Sequence, residues 1–360
     1  MKNHVLYILL IFILAGCKEE TTLKLKFLDE YVLKDSIQFR NTFIGGLSGV
    51  DYANGNYYFV IDDAKNPRFL SAEIELKKDT IHAIHFKKVI SLNDTTEIFY
   101  KENALDLESI FVDERTQKIN FVSEGSIKKN KNPSVFKTDL EGNFIEEFQL
   151  PISFKNNKNI KHNATFEGSS KSFDKKGFWV AMEVPLQLDG VPPIFKKTNS
   201  PIRITYFSNQ TKKATRQYAY QLEHITRPAK GVINLNGVTA ILEYKESHFF
   251  IIERTYQSDY GNDGNSIKIF NASINKKTST ILDVHSLKKI DFVPLKKRLL
   301  FDFSRIKNQL TQGIIDNIEG ITFGPKLSNG NQSLLLVSDD NFQIYGPQLN
   351  QFLLMEIITK

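Results

Sequence analysis

One pattern recurs five times along this chain and limits what it can fold into. The segments GLSGVDY from Gly46, DLESIFVD from Asp106, TFEGSSKSF from Thr165, LNGVTAILEY from Leu235 and DNIEGITFGP from Asp316 share it. Each sets an apolar residue, a polar residue and a small residue ahead of a strand-like run. The polar positions are Ser48, Glu108, Glu167, Asn236 and Glu319, at intervals of 60, 59, 69 and 83 residues. Such self-similarity marks a repeat architecture. A carboxylate and a glycine inside a buried strand also need a reason, since a polar group out of water needs a partner and glycine weakens a strand interior.

A second apolar run follows each time and ends on an acid. YYFVIDD reaches Asp62 and Asp63, NFVSEG reaches Glu124, FWVAMEV reaches Glu183, FFIIERTY contains Glu253, and LLLVSDDNF reaches Asp339 and Asp340. Turn-forming residues separate the two runs, so each unit opens with an antiparallel hairpin. Two further strand-like runs follow most hairpins: FLSAEIEL and IHAIHFKKVISL, SVFKTDL and FIEEFQL, PIRITYFS and RQYAYQLEHI, SIKIFNASI and STILDVHSL. Four antiparallel strands per unit is the composition of a propeller blade. The expected fold is all-β, a propeller with five blades, or six if residues 291–306 hide strands. That stretch with DFSRIKNQLTQGIID otherwise reads as an insertion carrying a short helix. The fifth unit has three strands, ending in QFLLMEIIT, and LKLKFLDEYVL at residues 23–33 is expected to supply the fourth and close the ring.

Antiparallel pairing brings the polar start of the first strand and the acid at the end of the second to the same end of the sheet. Ring closure then gathers these pairs around one mouth. Glu108, Glu167 and Glu319 are expected to face the channel there and are the catalytic candidates. The metal-ligand candidates are Asp62, Asp63, Glu108, Glu124, Glu167, Glu183, Glu253, Glu319, Asp339 and Asp340. Converging carboxylates repel unless a cation joins them, and hard Ca²⁺ or Mg²⁺ ions suit oxygen ligands. Such an ion could activate water against a phosphorus or carbonyl centre. Arg68 and Arg254, beside the acids, are candidates for holding an anionic substrate. Against this stands a structural reading, in which each acid accepts backbone N–H bonds from a neighbouring blade. Ser48 and Asn236 break the acidic pattern, so the site is expected off-centre, around blades two, three and five.

These same segments, DNIEGITFGP with LLLVSDDNF, DLESI, FEGSS and ERTY, resemble the phytase-like family of exported bacterial proteins (esterase-like activity of phytase) over residues 40–358. The resemblance implies a β-propeller and phosphoesterase or esterase activity assisted by metal. The alternative is a non-catalytic propeller that binds a ligand or protein at the same mouth, with ions serving structure.

Other chemistries find less support. GGLSGV around Ser48 lacks the final glycine and the helix of a serine-hydrolase elbow. His82 and His85 lie three apart in a strand-like run, which points them to opposite faces, and do not form a metal pair. Trp179 is expected in a blade core. No organic cofactor is indicated.

The N-terminus supplies an address. The apolar run Val5–Leu14 is too short to span a membrane and ends in LAGC, which resembles a lipobox. Residues 1–16 are expected to be a signal peptide, Cys17 the lipidated residue and 17–22 a charged tether, leaving one propeller domain over 23–360. The expected location is the bacterial cell envelope, lipid-anchored at the outer membrane. Cys17 is the only cysteine, so the body has neither disulfides nor a thiol nucleophile. Without residues 1–16 the chain loses one lysine and no acid, leaving 46 basic against 41 acidic residues. This modest, dispersed excess suits an anionic or ester substrate; no basic-aromatic surface for nucleic acid is present, and the only membrane contact expected is the anchor.

Overall fold

A computed structural model describes residues 23–94 and 96–359. The expected Cys17 anchor and signal peptide lie outside the described residues. The chain forms five four-stranded antiparallel sheets and one two-stranded hairpin, Gln38–Phe39 with Thr42–Phe43. The innermost strands of blades one to five are Leu47–Ala53, Leu107–Asp113, Phe166–Lys171, Asn234–Lys245 and Ile318–Lys326. The five-bladed expectation holds, and residues 23–33 close the ring. Leu23–Leu33 pairs with Asn350–Thr359, from Leu23 opposite Thr359 to Leu33 opposite Asn350.

Propeller strands bury both faces, which is why the second runs read as continuous apolar stretches rather than alternating ones. In His248–Gln257, Phe249 and Ile251 pack in the layer toward blade three, while Phe250 and Ile252 pack toward blade five. In Gln332–Ser338, Leu334 and Leu336 face blade four, and Leu335 and Val337 face blade one. The core is thus a set of inter-blade layers. Each fully buried side chain of this kind contributes about 1.5–3 kcal/mol. Trp179 belongs to the layer between blades three and four and donates Nε1–H to Glu243 at 2.9 Å.

The glycine after the polar position permits the layers to close. A Cβ on Gly168 would lie 2.7 Å from the Ile241 backbone nitrogen of the next blade, and one on Gly320 would lie 2.5 Å from Val337 and 2.9 Å from Val50.

Blade four departs from expectation. STILDVHSL, residues 279–287, is not its outer strand; Lys296–Asp302 is. The segment between docks on blade three, where Ile281 and Leu287 pack on Ala219 and the Ile281 N–H donates to the Gln217 carbonyl at 2.8 Å. Residues 291–306 therefore hide one strand of blade four rather than a sixth blade. A 3-10 helix, Phe303–Gln309, follows it.

Candidate metal centre at the propeller mouth

The register of each hairpin places the repeated polar residue. Leu47 pairs with Ile61 and Gly49 with Val60, leaving Ser48 as an extra residue. Glu108 is bulged in the same way between Leu107 and Ser109, and Glu319 between Ile318 and Gly320. In blade three the irregularity spans Glu167 and Gly168. A bulge re-aims a side chain, and here it occurs at the mouth end of the inner strands of blades one, two, three and five. The acid that follows is fixed too. The N–H groups of Asp62, Glu124, Glu183 and Asp339 donate to the carbonyls of Gly46, Asp106, Thr165 and Asn317 at 2.8–2.9 Å.

In blade four the bulge falls between Val238 and Ala240, not at Asn236. Thr239 therefore holds the polar position. Its hydroxyl donates to the Ile318 carbonyl at 2.7 Å, as that of Ser48 donates to the Leu107 carbonyl at 2.8 Å. Gly237 pairs with Arg254, so an arginine occupies the place of the acid. The signal was present in the sequence: Val238 and Ala240 flank Thr239 as Leu47 and Gly49 flank Ser48. Asn236 lies outside this ring, donating to the Glu223 carbonyl and to Glu253.

Eight carboxylates converge: Asp62, Asp106, Glu108, Glu124, Glu167, Glu183, Glu319 and Asp339. Their pKa values are all raised, first by burial and then, for most, by one another. Glu183 is pushed up to about 7 by burial, against the pull of Arg254. Asp62 and Asp106 share a hydrogen bond. Arg254 is the cation of the ring, bonded to Glu319 and Asn317 and lying 3.4 Å from Glu183. Burial would lower its pKa, yet Glu319, Glu183 and Glu167 hold it up.

Neutralisation is therefore one-sided. Arg254 serves blades three and five, while Asp62, Asp106 and Glu108 of blades one and two have ligand oxygens all within 4.8 Å of one another. At that separation two carboxylates repel by about 3–4 kcal/mol at an effective dielectric of about 20. Glu108 and Glu167 are each only 8% exposed and form no hydrogen bond among the described residues. Protons or a cation must compensate such groups. The tight group centres on blades one and two rather than on two, three and five, and it includes Asp106, which the repeat comparison passed over because no other blade places an acid two residues before the polar position. A hard cation fits this all-oxygen donor set.

Three of the sequence candidates lie apart from it. Glu253 is committed inside blade four, accepting from Tyr220 at 2.7 Å, Lys297 at 2.7 Å and the Glu223 N–H at 2.9 Å. Asp340 accepts the Gly46 N–H at 2.8 Å and that of Phe342 at 3.2 Å, which is the structural role weighed above. Asp63 binds Arg68 at 2.7 Å on the outer side of blade one. Two basic residues, Lys161 and His162, also stand near the acids. Burial lowers the Lys161 pKa, with Glu183 opposing, and His162 stands near enough to Asp106 to draw that carboxyl's pKa down.

Below the ring, Lys171 of blade three reaches Asp51 of blade one at 2.9 Å. Asp51 also accepts the Val112 N–H of blade two at 2.8 Å, and Ser109 and Ser169 meet at 2.7 Å. These bonds tie inner strands together across the channel, beneath the acidic mouth.

The family model described as phytase-like, esterase-like activity of phytase, matches residues 42–342, and the chain belongs to that family. No curated protein matches. Among solved structures, an exo-β-1,3-galactanase from Phanerochaete chrysosporium is 10% identical with a TM-score of 0.45, covering 91% of this chain and 64% of that one. A xylan β-1,4-xylosidase from Bacillus halodurans is 9% identical with a TM-score of 0.39, covering 89% and 54%. The Malassezia sympodialis allergen Mala s 1 is 11% identical with a TM-score of 0.41, covering 93% and 78%. The chain thus spans less than two thirds of the galactanase and of the xylosidase.

Proposed function

We propose that this phytase-like propeller is an exported, lipid-anchored hydrolase of phosphoric or carboxylic esters, assisted by Ca²⁺ or Mg²⁺ at its mouth. The observation that carries this reading is the Asp62, Asp106 and Glu108 group, which forms no ion pair among the described residues and feels only the more distant His162 and Lys129, together with Glu167, which has no hydrogen-bond partner among them. Asp62, Asp106 and Glu108 would hold the ion. When bound, it would supply Lewis-acid polarisation of the ester oxygen and lower the pKa of water. Arg254 holds Glu183 and Glu319 in place and opposes the rise in their pKa that burial causes, and Glu167 would accept a proton from an attacking water. Burial and then Glu183, Glu124 and Glu319 raise its pKa well above the ordinary carboxylate range, which makes its ionised form a stronger base.

Strand pairing bears on the anchor. Leu23 lies opposite Thr359, at the end of the blade remote from the mouth, whereas Leu33 lies opposite Asn350 beside it. A six-residue tether from Cys17 spans at most about 20 Å. An anchored protein would therefore direct its mouth away from its own membrane.

The test is turnover of generic phosphate and acyl esters by the purified protein with Ca²⁺ or Mg²⁺, its loss on chelation, and its loss in Glu108→Gln. Absence of cleavage under every metal, with chelation only lowering the melting temperature, would instead establish the non-catalytic propeller.

A further inference from the structure

A cavity of about 620 Å³ lies on the mouth face outside the acidic ring, between blade one and the loop of blade five. Its charge is opposite to that of the ring. Arg40, Lys65 and Arg68 line it together with a single carboxylate, Asp63. That carboxylate is already spent: Oδ1 accepts the N–H groups of Lys65 and Asn66 at 3.2 Å, and Oδ2 accepts from the Asn66 side chain at 3.3 Å and from Arg68 at 2.7 Å. The Arg68 side chain is 8% exposed and uses Nη1 for Asp63 and for the Asn66 carbonyl, at 2.8 Å. Its Nη2 makes no hydrogen bond among the described residues, and its Nε is buried without a partner. Arg40 lies over the Phe39 ring at 5.3 Å, Lys65 is exposed, and neither has a carboxylate partner among the described residues. Phe43, 50% exposed, and Ile344, 74% exposed, line it too, and the Phe342 ring centroid lies 5.8 Å from the Arg68 guanidinium.

We infer that this cavity is a binding site for an organic oxyanion: a phosphate group attached to an apolar body. Three cations against one satisfied carboxylate leave a net charge of two, and a partly buried guanidinium with a free Nη2 provides a directed donor for phosphate oxygen. The aromatic and aliphatic wall would cover the body of the ligand. Asp63 follows Asp62 in the chain, so the site adjoins the metal centre. If the hydrolase reading holds, it would grip a substrate by an anionic group beyond the ester being cleaved; that extension rests on the proposed function, whereas the binding site does not.

The experiment is a calorimetric titration of the full chain in chelator, so that no turnover occurs, with phenyl phosphate and with inorganic phosphate as probes. Phenyl phosphate is expected to bind at one site, and more tightly than inorganic phosphate. The exposed variants Arg40→Glu and Lys65→Glu should each weaken it about tenfold, the size of one charge-assisted hydrogen bond, while leaving the melting temperature within error. Arg68→Lys should weaken it while keeping the contact with Asp63. Glu108→Gln should leave it unchanged. Absence of phenyl phosphate binding, or binding indifferent to both exposed variants, overturns the site. Loss of binding in Glu108→Gln would assign it to the mouth instead, and equal affinity for the two probes would overturn the role of the apolar wall. Because binding is read without metal, failure here leaves the hydrolase reading standing, and the reverse also holds.

Discussion

Arg254 of blade four stands 3.4 Å from Glu183 of blade three, at the sheet position where each of the other blades carries an acid. One substitution in a five-fold pattern thus divides the mouth into a compensated half and an uncompensated half. Replacing it tests that division. Arg254→Met should destabilise the metal-free protein by about 3–5 kcal/mol, the cost of stranding buried partners. Added Ca²⁺ should recover part of the loss, because a cation can serve the freed carboxylates. Denaturant melts with and without Ca²⁺ measure both effects; equal loss in the two conditions would deny any link between Arg254 and cation binding.

The pH dependence of the metal-free protein should be inverted relative to an ordinary salt-bridged one. Glu183 binds its proton more tightly when folded, at about 7 against 4.5 in the unfolded chain. Its contribution is fully present below pH 4.5 and is lost as pH rises through about 7, amounting to about 3 kcal/mol. The other raised carboxylates act in the same direction. Melting temperature should fall from pH 4.5 to 7.5 without metal. Saturating Ca²⁺ should flatten that fall, since an ion competes with the protons.

Two buried acids should separate metal binding from structure. Glu108→Gln should reduce Ca²⁺ affinity by about tenfold or more, as loss of a charged ligand would. Glu253→Gln should instead leave Ca²⁺ affinity unchanged and lower stability by about 1–3 kcal/mol, because Lys297 then keeps only its more exposed partner Glu223. Calorimetric Ca²⁺ titration beside melts of the two variants decides this; loss of Ca²⁺ binding in Glu253→Gln would place that residue in the centre after all.

Close approach of neighbouring inner strands should make one methyl group costly. Gly168→Ala puts a Cβ against the backbone of blade four, which cannot rotate away as a side chain could. A loss of about 1–3 kcal/mol is expected in a chemical melt. A neutral result would show that the layers have room to shift.

Ring closure can be tested at the N-terminus. Deleting residues 23–33 removes the outer strand of blade five and uncovers the edge of Asn350–Thr359. The truncated chain should aggregate or unfold, whereas a cut ending before Leu23 should leave the melt unchanged.

The blade count, the hairpin that begins each blade, the closing strand and most of the mouth acids were legible as a repeat, because each blade must solve the same burial problem with the same continuous apolar runs. Register within blade four was not. Asn236 resembled the repeated polar residue from its neighbours alone, but the bulge lies at Thr239, and only the pairing of Val238 with Glu253 settles which side chain reaches the channel. A shift of this kind exchanges one side chain for another at the mouth, so Arg254 replaced Glu253 there.

What the sequence determined by itself was therefore periodic: apolar runs buried on both faces, an acid at a recurring offset, and a glycine where the layers meet. Tertiary structure decided what is not periodic. It brought Asp106 to Asp62 across the boundary between two blades, gave Glu253 to Tyr220 and Lys297, and left Glu108 and Glu167 without a hydrogen-bond partner among the described residues. Those outcomes depend on distances between residues far apart in the chain, and a repeat that specifies each blade leaves the contacts between blades to the closure of the ring.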